Sequence, residues 1–371
     1  MTIPSLIDTN NTGRLHFLDG LRGIAILLVV LYHTYSNAWV ELVPYFYPTH
    51  DLMIIKYGSH GVPLFFIISG FVISMSLEKC KNFGDFMFKR WLRLFPAMLI
   101  ASLLILITSP LLTSRPLGNP YALDIIAGIT FIAPTFFRAI FDSQQTMLEG
   151  GFWSLFVEVK FYIVAGLLYF TVGQKKMITA LVIMFLSSTI FDVLQSRLPG
   201  DTAENLKLVF ASLDYEYYGW FAAGALFFRY YSSKSISAFI FAIIIALISA
   251  RTLGGLMSIS MLFAVILIVI FACSMFSQTL QNLLSNQVLV FLGFISYPLY
   301  LIHENATISI IVQLHNQYDN VPVYVLSLLP MTLMLLISWI IAKYLEPMLR
   351  KFIKFSALQI RSRFSSPLKS I

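Results

Sequence analysis

Two ionisable side chains share one face of the first apolar segment. Arg22 and His33 are eleven residues apart, close to three turns and about 16 Å along an α-helix. Arg22 is expected near the cytoplasmic headgroups and His33 deep in the span. An imidazole held there can act as a general base or, as a nucleophile, accept a transferred group. A histidine that only bonds a neighbouring helix fits the same position. Lys89, Arg90 and Arg93 follow in a short segment interleaved with Phe83, Phe86, Phe88 and Trp91. Arg matches phosphate oxygens with a planar, permanently charged fork, so Arg90 and Arg93 suit a phosphorylated ligand. The plainer reading is a positive-inside anchor. Glu158 lies five residues after Trp153, and His303 has Glu304 beside it. Glu158 can orient His33, raise its basicity or meet acceptor hydroxyls, and it can equally pair with Lys160. His303 reads either as a substrate contact or as a structural histidine.

Ionisable groups of this kind must be positioned by helices, because the chain has the composition of a membrane protein. Of its 371 residues 58% are hydrophobic and 12% charged, against about 25% charged in soluble domains, and mean hydropathy is +0.80. A hydrocarbon core takes roughly 20 apolar residues per helix. Apolar runs near 20–39, 60–77, 94–112, 153–172, 177–195, 209–230, 236–250, 255–273, 288–308 and 323–343 predict an all-α polytopic transmembrane bundle of about ten spans. Residues 121–141, interrupted by Asp124, Pro134 and Arg138, read as re-entrant or as lying at the outer face; an eleventh crossing there would put Lys175 and Lys176 outside. Phe83–Arg93 reads as an amphipathic helix at the cytoplasmic interface.

The basic residues sort by side. Arg14, the Lys79–Arg93 cluster, Lys175, Lys176, Arg229 and Lys234 fall on one side with the tail residues Arg350, Lys351, Lys354, Arg361, Arg363 and Lys369. Lys56, Arg115, Arg138, Arg197, Lys207 and Arg251 fall on the other. That asymmetry predicts both termini in the cytoplasm, with residues 1–350 as one membrane domain and 351–371 as a basic cytoplasmic tail. The net charge of +7 is thereby assigned to membrane lipid rather than nucleic acid. Cys80 and Cys273 make neither a disulfide framework nor a metal spacing, and no metal is expected. Ser36-Asn37-Ala38 weakly resembles a signal-peptidase site, but cleavage would discard Arg22 and His33, so the uncleaved helix is expected.

Phe17-Leu18-Asp19-Gly20-Leu21-Arg22-Gly23-Ile24-Ala25, followed by Val29 to His33, resembles the opening of the acyltransferase family 3 membrane proteins. The resemblance continues in that family's order. Gly61-Val62-Pro63-Leu64-Phe65-Phe66-Ile67-Ile68-Ser69-Gly70-Phe71 comes next, then Lys89-Arg90-Trp91-Leu92-Arg93-Leu94-Phe95-Pro96. Trp153-Ser154-Leu155 with Glu158, Phe161 and Tyr162 follows, and Ser296-Tyr297 through Tyr300-Leu301-Ile302-His303 comes last. It spans about residues 15 to 345, and the joint order is more specific than any single piece. There are departures. Val159-Lys160 stands where the family often has a second polar pair, and the soluble esterase-like domain of some members is not found, so a separate periplasmic partner would supply any second step.

The resemblance implies a bacterial inner-membrane enzyme that O-acylates, mostly O-acetylates, extracytoplasmic carbohydrates or glycolipids. It implies His33 and Glu158 as catalytic residues. Arg22, Arg90, Arg93 and Lys89 would bind the phosphates of an acyl-CoA, most simply acetyl-CoA, which is a co-substrate rather than a permanently bound cofactor. Trp153 and His303 would contact substrate. His33 would serve as general base or as acyl acceptor. Ser69 reads as a small residue for close helix packing, and Asp19 as an N-terminal capping carboxylate. Two other classes compete: a transporter using a His/Glu proton relay, and a non-catalytic scaffold that would tolerate loss of His33.

Overall fold

The structure, a computed structural model, describes residues 15–44, 49, 51–141, 146–197, 199–255 and 257–365. Arg14 and Lys369 lie outside the described residues. Among the described residues there are helices and turns and no strand. Helix α1 spans His16–Tyr35, α2 Gly61–Leu77, α3 Phe83–Thr108, α4 Asp124–Thr130, α5 Pro134–Phe141, α6 Phe152–Val172 and α7 Gln174–Leu194. Then come α8 Gly200–Leu213, α9 Tyr218–Ser233, α10 Ile236–Arg251, α11 Ile259–Cys273, α12 Gln278–Leu284, α13 Gln287–Gln317, α14 Val323–Ile340 and α15 Glu346–Ser365. A π-helical turn, Ile341–Leu345, joins the last two.

Helix ends are written into the sequence. Asn82, Ser235, Ser258, Ser277 and Asn286 cap α3, α10, α11, α12 and α13, each side chain accepting a backbone N–H three residues on. These contacts satisfy amide donors that the first helical turn leaves unpaired. Left-handed residues mark the breaks at Phe131, Gly173, Asp214 and Lys234. Pro96, Pro298 and Pro330 lie inside helices, as membrane helices tolerate when neighbours re-satisfy the freed backbone groups.

Among the described residues seven helices are long and apolar enough to cross a membrane, or eight if the α11–α12 pair, bent by 111°, is one broken span. The architecture is that of an integral membrane protein. It differs in detail from the apolar runs. The expected span 209–230 is split: residues 209–213 belong to α8, which buries none of its residues, and α9 starts at Tyr218. The break is Asp214, whose φ of 55° ends α8 and whose carboxylate is held by Lys160 at 2.6 Å. Helices α9 and α10 each have 16 residues. The amphipathic segment and the third span form one continuous helix, α3. Residues 121–141 form two helices of 7 and 8 residues, each too short to cross at 1.5 Å per residue. Asp19 is not the α1 cap: Leu15 holds that position without a side-chain bond, and Asp19 sits in the first turn.

Helix α1 lies at the centre, packed on α13 and α2. With lipid as apolar as leucine, such helices associate by close backbone approach at small residues. A side chain on Gly293 of α13 would run into the carbonyl of Asp19, and one on Gly23 into the carbonyl of Leu289. Gly70 of α2 and Gly224 of α9 make the same kind of approach to Phe221 and Ile67. Large apolar residues such as Ile107, Ile183, Phe241, Ile266 and Leu328 remain exposed on the outer helix faces. Because the obstacle at Gly293 is backbone, Gly293→Ala should destabilise the protein by about 1–3 kcal/mol or more. Thermal unfolding in detergent checks this, and an unchanged midpoint would refute the backbone contact.

Candidate active site

A cavity of about 90 Å³ lies between α1, α2, α3, α6 and α13. Arg22, Arg90 and Arg93 line it, and three positions distant in sequence thus share one space. Arg22 also lies 3.6 Å from Asp19. Arg90 donates through Nη2 to Ser76 Oγ at 2.7 Å and stacks its guanidinium over the Phe86 ring, while its buried Nε has no protein partner. Arg93 is exposed. Lys89, expected beside them, is not a lining residue; it is exposed and held by Asp85 at 2.8 Å. On the cavity wall Glu158 accepts hydrogen bonds from Ser69 Oγ at 2.5 Å and Tyr162 OH at 2.6 Å. Three guanidinium groups against the carboxylates of Glu158 and Asp19 leave an excess of positive charge, which suits an anionic ligand.

The geometry separates Glu158 from His33. Glu158 faces the arginine-lined space and Lys160 is engaged with Asp214 and the Ser212 carbonyl, so neither makes the pairing that their spacing suggested. The carboxylate beside His33 is Glu304, whose Oε1 is 3.6 Å from His33 Nε2. Ser69, expected as a packing residue, is a donor to Glu158; the close backbone approach belongs to its neighbour Gly70.

His33 lies in the last turn of α1, nearer the helix end than the expected mid-span position. Its Nδ1 is 3.0 Å from His303 Nε2. The tautomers follow from what surrounds His303, which is buried. His303 Nδ1 is 3.1 Å from the carbonyl oxygens of both Leu299 and Tyr300. Carbonyls only accept, so Nδ1 carries a proton, and in the neutral ring Nε2 is then an acceptor. His33 Nδ1–H must donate to it. Neutral His33 therefore keeps its lone pair on Nε2, the nitrogen 3.6 Å from Glu304 Oε1. A partner that fixes the tautomer of a reactive histidine is a recurrent device.

A second buried network supports Glu304. Glu149 accepts from the backbone N–H of Asn305 and from its side-chain amide, both at 2.7 Å. Asn305 Oδ1 in turn accepts from Leu117 N at 3.0 Å, and Arg115 donates to the Leu148 carbonyl at 2.8 Å. Gly150 passes so close to Glu304 that a side chain there would collide with the carboxylate, while Trp39 Nε1 donates to its Oε1 at 3.2 Å. Burial, and then the Glu304 carboxylate, push the Glu149 carboxyl well above its ordinary range. Trp153 sits among aromatics, against Phe66 and Tyr217. Glu149, Arg115 and Asn305 carried no signal in spacing, because loop and helix meet only in the fold. The Glu149-Gly150-Gly151 run before Trp153 was the one available hint.

A family model described as an acyltransferase domain matches residues 15–343, nearly the whole bundle. The chain belongs to that acyltransferase family. An O-acetyl transferase of Shigella phage Sf6 is 25% identical over 199 residues, 52% of this chain and 55% of the relative. The peptidoglycan O-acetyltransferase OatA of Listeria monocytogenes is 28% identical over 159 residues, 40% of this chain and 23% of that protein. A Staphylococcus aureus protein with a provisional O-acetyltransferase name is 31% identical over 156 residues, 39% and 23% of the two chains. The chain thus spans between about a quarter and a half of the length of these relatives. No solved structure matches it.

Glu149 offers a check on the buried network. A carboxyl whose folded pKa is raised binds a proton in the folded state that the unfolded state has already lost. Its penalty is absent below the ordinary carboxylate range and grows as pH climbs from there to the raised value. Thermal stability should therefore fall with rising pH across that window, and Glu149→Gln should flatten the slope. An unchanged slope would remove Glu149 as its source.

Proposed function

We propose that this protein is a membrane O-acetyltransferase that moves an acetyl group from acetyl-CoA to a hydroxyl of an extracytoplasmic carbohydrate. The observation that carries the reading is His33, whose Nε2 lone pair is fixed by His303 and backed by Glu304. His33 and Arg22 lie about 16 Å apart along one helix. Family membership supports acyl transfer, the names of the phage and Listeria relatives support acetyl as the acyl group, and the peptidoglycan in the Listeria relative's name supports a carbohydrate acceptor.

The donor phosphates bind Arg22, Arg90 and Arg93, and the pantetheine arm runs along the cavity toward His33. The acceptor hydroxyl loses its proton to His33 Nε2 as its oxygen attacks the thioester carbonyl. The resulting imidazolium lies beside Glu304, which stabilises it by charge, and then returns the proton to the departing thiolate. Ten crossings are counted as α1, α2, α3, α6, α7, α9, α10, α11, α13 and the α14–α15 helix. Tyr215–Tyr217 lengthens α9 by a 3-10 turn, and the remaining shortfall of α9 and α10 is tolerable where other helices cover them. Ten crossings with the observed Lys/Arg asymmetry give cytoplasmic termini, in the bacterial inner membrane. The arginine end then faces the cytoplasm, where acetyl-CoA is made, and His33 faces the outside.

In membranes containing the native protein, label from acetyl-CoA should enter envelope carbohydrate, and His33→Ala should abolish transfer while the protein stays folded. Retained transfer in that variant would remove His33 as the base, and no transfer by folded native protein would sink the activity. Arg93→Ala should raise KM for acetyl-CoA about tenfold or more, the loss of one charge-assisted contact. A KM unchanged by that substitution would place the donor elsewhere.

A further inference from the structure

The histidine pair lies beyond the lining of the arginine-lined cavity. Neither His33 nor His303 lines the cavity. Tyr300 belongs to both: it lines the cavity, and its ring packs on His303 with centroids 6.0 Å apart. Its hydroxyl is 2.7 Å from Ser154 Oγ, another lining residue. Gly151 lets the chain pass directly over the phenol, where a side chain would meet the ring edge. The phenol thus stands between the arginine-lined cavity and the histidine pair.

The hydrogen-bond count at this point leaves a proton to spare. Ser154 Oγ has two neighbours, the Gly151 carbonyl at 3.2 Å and the Tyr300 hydroxyl at 2.7 Å. In one arrangement Ser154 donates to the carbonyl and Tyr300 donates to Ser154. In the other Ser154 donates to Tyr300, and the phenolic O–H is released to point elsewhere. The two differ only in rotation of hydroxyl hydrogens. A carbonyl oxygen arriving in the cavity can therefore draw the Tyr300 proton donor to itself without any heavy atom moving.

We propose that Tyr300, supported by Ser154, donates a hydrogen bond to the thioester carbonyl oxygen and stabilises the negative charge that develops there. This rests on the acyltransferase reading above. As the acceptor oxygen bonds to the carbonyl carbon, the C=O π electrons move to oxygen and the hydroxyl proton passes to His33. Collapse re-forms C=O and breaks the C–S bond, and the thiolate takes the proton from His33. Tyr300 gives up no proton in either step. A donor aimed at developing charge in a dry site is worth far more than the same bond in water.

Tyr300→Phe keeps the ring and its packing and removes only the donor. It should lower kcat on the order of a hundredfold with KM for acetyl-CoA within about twofold, the signature of a contact strengthened in the transition state. Ser154→Ala, which removes only the support, should lower kcat less. The direct readout is isotope-edited infrared of acetyl-CoA labelled at the acetyl carbonyl, bound to protein carrying His33→Ala so that no turnover occurs. The bound carbonyl stretch should lie at lower frequency with Tyr300 than with Tyr300→Phe. Equal frequencies, or an unchanged kcat, would overturn the assignment. Absence of any bound thioester signal in either protein is a different result: it would overturn the acetyl-CoA reading and this assignment with it.

Discussion

The backbone-to-backbone contact of α1 with α13 is the constraint on which the site depends. Both candidate histidines are carried by these two helices, whose packing brings His33 Nδ1 to 3.0 Å from His303 Nε2. Gly23 and Gly293 remove the side chains that would hold the helices apart, and Gly20 does the same against Leu284 at the end of α12. Without a hydrophobic drive between helices in lipid, that closeness must come from packing and polar contacts. The packing that stabilises the bundle is therefore the same packing that sets the His33–His303 geometry. A change at Gly293 acts on chemistry and on stability through one contact.

The second organising fact is the separation of charge. Guanidinium groups gather at one end of the bundle interior, with Glu158 and Asp19 as partial counter-charges, and buried carboxylates and histidines gather at the other. Charged groups inside a bilayer are costly unless paired, hydrated or used. At the arginine end the excess positive charge and the unpartnered Arg90 Nε leave capacity for an anion. At the histidine end Asn305, Glu149, Trp39 and backbone carbonyls hold one another, while Glu304 Oε2 and Arg115 Nε and Nη1 have no protein partner.

How much of this was legible in the sequence depends on the range of the interaction. Arg22 and His33 could be placed on one helix because 3.6 residues per turn relates them directly. Arg90 and Arg93 became anion-binding candidates through the family resemblance, since their spacing alone favours a positive-inside anchor, and α2, α6 and α7 were legible from length and composition. The partner of His33 was not. Glu158 and Glu304 are both carboxylates in apolar helices, and only the tertiary register of α13 against α1 selects Glu304. Lys89 differs from Arg90 by one position, yet one position is 100° around a helix, enough to turn it to Asp85 on the surface. The break at Asp214 was hidden because apolar residues flank it on both sides and the Lys160 that holds its carboxylate lies fifty-four positions away.

The same register argument decides which of the two histidines is reactive. His303 has both nitrogens committed, Nδ1 to carbonyls of its own helix and Nε2 to His33, and it is almost wholly inaccessible. His33 has one committed nitrogen and keeps 18% side-chain exposure. Exchanging their roles would require His303 Nδ1 to lose its proton while facing two carbonyl oxygens, which places lone pairs against lone pairs. The helix geometry of α13 forbids that at little cost to itself, since those carbonyls are one turn back on the same helix. His303 is thereby a positioning residue that hands the free lone pair to His33. His303, expected as a substrate contact, instead sets the tautomer of His33.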